Sequence, residues 1–247
     1  MGRCKRVVFV LAASLFNIAA YVRPSSAAMV LLNGASTPDA QGWTAVSVSV
    51  PAASVVNNGT YTEISTLGTT DGGSASGDLM YNESVALSSM PVYQLDISLQ
   101  VLAGSGSHNQ FDAPVAFGAN NGTASGSSVQ RGEKIYFDTN GIGWGDESGS
   151  YAFDTTDTFH TYSLIVDTNT GDASVAVDGV QRLTRSGYVT SDQIGFGDQT
   201  NDPGVNGDFR IEEITLTPEP ASLYIFLLAS IAVLTQRGSR RKALNPL

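Results

Sequence analysis

Two histidines, one cysteine and 23 acidic residues are the raw material for chemistry in this 247-residue chain. Glycoside hydrolysis needs two carboxylates flanking one bond, about 5–5.5 Å apart for retention and roughly 6.5–9.5 Å for inversion. A Glu-x-Asp-x-x-Glu string along one strand would supply them, because alternate residues share a face. No such string occurs. Glu212 and Glu213 are adjacent, which on a regular strand points them to opposite faces, and Asp96 stands alone. Nucleophilic catalysis has less to work with: there is no Gly-x-Ser-x-Gly elbow, and the one thiol, Cys4, precedes an apolar run near the start. His160 stands near a strand start, where a structural role fits, and His108 stands in the polar loop Gly104–Gln110. Two histidines without a cysteine partner do not make the usual zinc site.

Binding chemistry is better supplied. Calcium takes oxygen ligands from Asp, Asn and backbone carbonyls. Such donors cluster in Asp138-Thr139-Asn140, in Asp167–Asp172, and in Asp198–Asp202 with Asp208. Asp198, Asp202 and Asp208 are the candidate calcium ligands, although the same residue types also form ordinary turns. A glycan would stack on an exposed aromatic ring. Trp144, in Gly141-Ile142-Gly143-Trp144-Gly145, is the leading candidate, since its flanking glycines would expose it. Tyr151 and Tyr188 are further candidates. The alternative for Trp144 is a place in the core, where most tryptophans lie.

The elements that position these residues read as strands. Apolar and polar residues alternate through Trp43–Val50, Tyr61–Leu67, Val92–Leu102, Lys134–Phe137, Thr161–Val166, Ser174–Val177 and Phe209–Leu216. Turn signals separate them, including Asn57-Asn58-Gly59, Thr139-Asn140-Gly141 and Asp178-Gly179. No 3.6-residue apolar period is sustained between the two ends, so a sandwich or barrel follows.

The run Phe159-His160-Thr161-Tyr162-Ser163-Leu164-Ile165-Val166-Asp167, a turn, and Asp172–Gly179 form one hairpin, followed by Ile194–Asp198 and Asp208–Leu216. This succession resembles the concanavalin A-like, laminin G-like jelly roll. The resemblance implies the fold and no particular activity, because that fold hosts lectins, glycosidases and adhesion modules. Residues 29–150 agree with it only in being strand-rich.

Charge is segregated. Residues 1–28 carry Arg3, Lys5, Arg6 and Arg23 and no acid, and residues 221–247 carry Arg237, Arg240, Arg241 and Lys242 and no acid. All 23 acids lie between them, against Arg131, Lys134, Arg182, Arg185 and Arg210. So acidic a body is poorly suited to nucleic acid or to anionic membrane surfaces. The first 28 residues read as an export signal: a basic start, the apolar run Val7–Ala20, and small residues before a cut between Ala28 and Met29. Cleavage there would leave a mature chain without cysteine.

The other end reads Pro218-Glu219-Pro220, then the apolar stretch Ala221–Leu234, then the basic cluster Arg237, Arg240, Arg241 and Lys242. As a helix the apolar stretch covers about 21 Å, short of a hydrocarbon core of about 30 Å. The basic cluster would stay cytoplasmic. This order resembles the PEP-CTERM sorting signal, although the chain here continues past the basic cluster to Leu247. The resemblance implies removal of helix and tail by an exosortase, a membrane-bound transpeptidase, with the body released or attached outside, often alongside exopolysaccharide.

The sequence therefore predicts an all-β jelly-roll sandwich at 29–217, between a signal peptide at 1–28 and a sorting signal at 218–242 whose membrane helix is 221–234. The expected protein is an exported bacterial surface or extracellular-matrix protein, non-catalytic, with a binding or structural role. Its expected partners are signal peptidase and exosortase during export, the inner membrane transiently, and extracellular polysaccharide or a surface protein, but no nucleic acid. Calcium is the one cofactor considered. The alternatives are a secreted glycan-active hydrolase on the same fold, or a single-pass membrane protein that keeps its tail.

Overall fold

A computed structural model describes residues 27–47, 53–69, 79–105, 108, 113–119, 133–199 and 205–218. The export signal up to Ser26, Glu219 and Pro220 of the sorting motif, the apolar stretch 221–234, Arg237, Arg240, Arg241, Lys242, and Asp202 of the calcium set lie outside the described residues. Among the described residues, no helix is long and apolar enough to cross a membrane.

The described chain is strand throughout, apart from two short 3-10 turns at Asp39–Gln41 and Leu87–Ser89. In order, the strands are β1 Met29–Asn33, β2 Thr44–Ser47, β3 Ser54–Asn57, β4 Thr62–Ser65, β5 Leu79–Ser84, β6 Val92–Ser105, β7 Ala116–Gly118, β8 Lys134–Asp138, β9 Gly141–Trp144, β10 Ser150–Ala152, β11 His160–Asp167, β12 Asp172–Val177, β13 Val180–Arg185, β14 Gln193–Asp198 and β15 Asn206–Pro218. One sheet has the order β13-β12-β11-β6-β15-β4-β3, with β1 also beside β15; the other has the order β10-β9-β8-β7-β14-β5-β2. The all-β sandwich expected from the alternating pattern is the architecture observed.

Period two explains the layering. Along β6, Leu95, Ile97, Leu99 and Val101 are buried while Gln94, Asp96, Ser98 and Gln100 stay half-exposed on the other face. Leu164 and Val166 of β11 continue that apolar face, and Phe117, Ile135, Phe137 and Ile142 of the second sheet belong to the same core. Phe137 meets Tyr162 edge-on at 4.8 Å, and Trp43 meets Phe196 the same way at 4.8 Å. Each fully buried Phe or Leu contributes about 1.5–3 kcal/mol, so this shared core dominates stability.

The turns follow their chemistry. The hairpin β11–β12 closes where Asp167 faces Asp172, and β12–β13 closes at Asp178-Gly179, both with positive φ (51° and 76°). That is the conformation a two-residue hairpin turn demands, and Asp-Gly tolerates it. Thr139 and Asn140 form the two-residue link between β8 and β9, where Asp138 faces Gly141.

β15 is the central strand. It pairs with β6 along its whole length, and on its other side with β4 and then β1. Its register shifts twice, at Asp208/Phe209 and at Ile211/Glu213. The second shift changes an expectation. Ile211 and Ile214 are both buried, while Glu212 is half-exposed and Glu213 exposed. The bulge inserts one residue between the two isoleucines, so neither glutamate enters the core.

Candidate functional site

Two of the three aromatic candidates, Trp144 and Tyr188, come together, but as a closure of the sandwich. Trp144 on β9 is 1% exposed and Tyr188 is 4% exposed, their rings edge-on at 6.2 Å. The Arg185 guanidinium of β13 lies 5.3 Å over Trp144 and its Nη2 is 3.3 Å from Asp146 Oδ2. The Tyr188 hydroxyl donates to the Glu133 carbonyl at 2.7 Å and accepts from the Ala119 N–H at 3.2 Å. Burial pushes its pKa well above the usual tyrosine range. Tyr151 on β10 is half-buried, stacked on Phe153 at 5.4 Å, with Arg182 of β13 4.4 Å over its ring.

The expectation that Trp144 and Tyr188 face solvent is therefore corrected. The glycines flanking Trp144 sit on the opposite face of the strand from its ring. A side chain on Gly143 would meet the Tyr136 ring at 2.5 Å, and one on Gly141 would meet the Tyr151 carbonyl at 2.7 Å. Those glycines make room for Tyr136 and for the β10 backbone; they do not uncover Trp144.

Of the carboxylates nominated for calcium, Asp198 and Asp208 are among the described residues. Asp198, at the end of β14, is fully buried and accepts a hydrogen bond from the Thr66 hydroxyl, which itself accepts from the Gly207 N–H at 2.9 Å. Asp208 of β15 is half-exposed, beside Glu63 and Arg210, whose own ion pair is 2.8 Å. Partial burial and then the Glu63 charge raise the Asp208 pKa, against the pull of Arg210. Among the described residues, no group of three or more His, Cys, Asp or Glu side chains could hold a metal ion.

His160 has the structural role expected of it. Its Nδ1 lies 2.7 Å from Asp178 Oδ2 and its Nε2 lies 2.9 Å from Asp157 Oδ1. Partial burial disfavours the charged ring, but the bonds to Asp178 and Asp157 outweigh it and raise the His160 pKa. The group clamps the start of β11 to the β12–β13 turn.

The cluster that remains open to a ligand was not visible along the chain. It lies at β8. The His108 ring stacks on Tyr136 with centroids 3.7 Å apart and planes at 19°. Its Nδ1 donates to the Asp138 carboxylate, and its Nε2 faces Glu147 Oε1 at 3.8 Å. The side chains of His108, Asp138 and Glu147 are 23%, 17% and 49% exposed. β8 places Tyr136 and Asp138 on the face away from the core, and Gly143, the cross-strand partner of Tyr136, lets the phenol lie flat. Burial, followed by the charge of Asp138, raises the Tyr136 pKa, so the ring stays neutral.

Glu147 has φ 60°, a left-handed backbone that a glutamate seldom adopts. Its N–H donates to the Trp144 carbonyl at 2.8 Å, which holds the turn in place. Such strain persists only where the surroundings over-determine it, and it often marks a working site. Asp138, Thr139 and Asn140 also line a cavity of about 110 Å³ together with Val101, Ala103, Gly104 and Pro114. That volume suits water or one small substituent, not a whole ligand. Chemically, the arrangement offers a flat ring and two carboxylate acceptors, the features that recognise hydroxyl-rich molecules. Only the fragment Asp138-Thr139-Asn140 carried a sequence signal for this site, as a candidate cation loop.

The chain matches no protein-family model and no curated protein. Among solved structures it is similar to part of a sialidase, with TM-score 0.51 and 12% identity over 78% of this chain and 18% of that one. It thus spans under a fifth of that sialidase. It is also similar to the metal-free carbohydrate recognition domain of Emp46p (TM-score 0.46, 13% identity, 77% and 96% covered). A third similar structure is the endo-1,3-beta-glucanase from Streptomyces sioyaensis (0.47, 13%, 80% and 99%). At identities this low, the likeness concerns the fold alone.

Proposed function

We propose that this chain is an exported, non-catalytic binding protein whose β-sandwich, read as a concanavalin A-like jelly roll, holds a neutral extracellular polysaccharide at His108. The observation that carries the binding is the His108 ring, stacked on Tyr136 and flanked by Asp138 and Glu147. A sugar ring stacks on such a platform while its hydroxyls donate to the carboxylates. The acidic body supports neutral over anionic glycans. Export rests on the two ends of the sequence: a signal cut between Ala28 and Met29, and the order Pro218-Glu219-Pro220, apolar stretch, basic cluster. In the precursor the apolar stretch engages the inner membrane, and an exosortase removes it.

A glycan array followed by titration calorimetry tests the binding. His108→Ala should weaken binding by about tenfold or more, as expected for a loss of roughly 1.5 kcal/mol, while the melting temperature holds. Tyr151→Ala should leave binding unchanged; the reverse pattern would move the site to β10 and refute the assignment. Repeating the titration with calcium tests the cofactor, and unchanged affinity is expected. Incubation with the bound glycan should release no new reducing ends.

A further inference from the structure

The register of β15 fixes where the two ends of the sandwich body emerge. Met29, the first residue after the expected signal cut, pairs with Leu216, so β1 begins where β15 ends. Pro218, the first residue of the sorting motif, is itself a strand residue opposite Tyr93. No spacer follows it. Three residue steps separate Pro218 from Ala221, the start of the apolar stretch, a reach of at most about 11 Å.

The loops at this end are tied together. The Thr168 N–H donates to the Pro91 carbonyl at 2.9 Å, and the Tyr188 N–H donates to the Gly171 carbonyl at 2.7 Å. Met29, Val30 and Val189 are exposed there. Asp167, Asp172 and Asp192 belong to the same end, so anionic lipid would be repelled and neutral lipid tolerated.

At the other end of β15, Gly207 pairs with Gly104, which lines the cavity beside Asp138, Thr139 and Asn140. From Gly207 to Pro218 the strand climbs roughly 35 Å at about 3.3 Å per residue.

We infer that the sandwich is a display spacer: its β1–β15 end rests against a neutral bilayer surface while the chain is membrane-held, and its Asp138 cavity points away from the lipid. The inference rests on the proposed membrane role of the tail. It commits the body to one orientation, with the Asp138 cavity outward and Pro218 against the membrane.

Single-cysteine labelling of the full chain tests it. In a Cys4→Ser background, Val30→Cys and Val189→Cys mark one end, and Leu67→Cys and Thr139→Cys mark the other. Each variant carries an environment-sensitive dye and is reconstituted into phosphatidylcholine vesicles with a nitroxide on the lipid headgroup. The first two labels should be quenched at least about twofold and the last two hardly at all, given their separation along β15. Equal quenching at both ends, or stronger quenching at Leu67 and Thr139, overturns the orientation while leaving the membrane role intact. Failure of the labelled protein to float with the vesicles overturns both the membrane role of the tail and the orientation built on it.

Discussion

Gly143 decides the candidate site more than any charged residue does. The Tyr136 ring occupies the space its side chain would need, and His108 stacks on that ring. Gly143→Ala should lift Tyr136, cost about 1–3 kcal/mol in urea unfolding and abolish glycan binding with it. His160 sets a different test. Its pKa is raised in the folded state by Asp178 and Asp157, so its stabilisation is present below the unfolded value near 6.5 and lost as pH rises through the higher folded value. The melting temperature should fall by roughly 1–3 °C across that step, since both partner carboxylates are more than half exposed and the ion pairs are screened. His160→Ala should remove the step, and calorimetry at a series of pH values reads both. Asp178 moves the opposite way: its bonds to His160 and to the Thr161 N–H outweigh partial burial and lower its pKa, so its contribution fades only in acid.

At the scale of elements, the edge strand β13 closes one side of the sandwich. Arg182 and Arg185 reach from it over Tyr151 and Trp144 of the other sheet. Arg185 also pairs with Asp146 and is 17% exposed, whereas Arg182 stands in solvent. Arg185→Ala should therefore lower stability by about 1–2 kcal/mol and Arg182→Ala by less than about 1 kcal/mol, both measured by thermal unfolding. About half of these strands were legible in the chain. Alternation located β2, β4, β6, β11, β12 and β15, and also β8, where Lys134 and Tyr136 alternate with Ile135 and Phe137 although both faces are buried. The strands β1, β3, β5, β7, β9, β10 and β13 were not located this way. β7 and β9 are buried on both faces and glycine-rich, and β10 is three residues long, so none of them alternates. The bulge at Glu212 was equally hidden, since a register shift belongs to the pairing of β15 with β6 and not to either strand alone.

For the molecule as a whole, maturation should yield a chain starting at Met29 and lacking the apolar stretch. Intact mass measurement of the exported protein checks this, and a peptide containing Ile231 and Leu234 in the mature form would show a retained tail. The acidic middle and basic ends, on this view, belong to different stages. Under the proposed function the ends would orient the precursor in a membrane, and the acidic body would keep the product soluble and favour neutral partners.

The sequence by itself determined the all-β fold class and the hairpin around Asp178-Gly179, and it placed His160 at a strand start. Period-two burial and turn chemistry are local, and they survive into the tertiary structure unchanged. It also contained every residue of the candidate site, but scattered. His108 and Asp138 are 30 positions apart, and only the pairing of β7, β8 and β9 sets Tyr136 flat on Gly143 to receive the imidazole. The same packing turned Trp144 and Tyr188 inward. An aromatic residue beside glycines reads identically whether its ring faces solvent or core, and only the second sheet, with Arg185 closing over it, decides which.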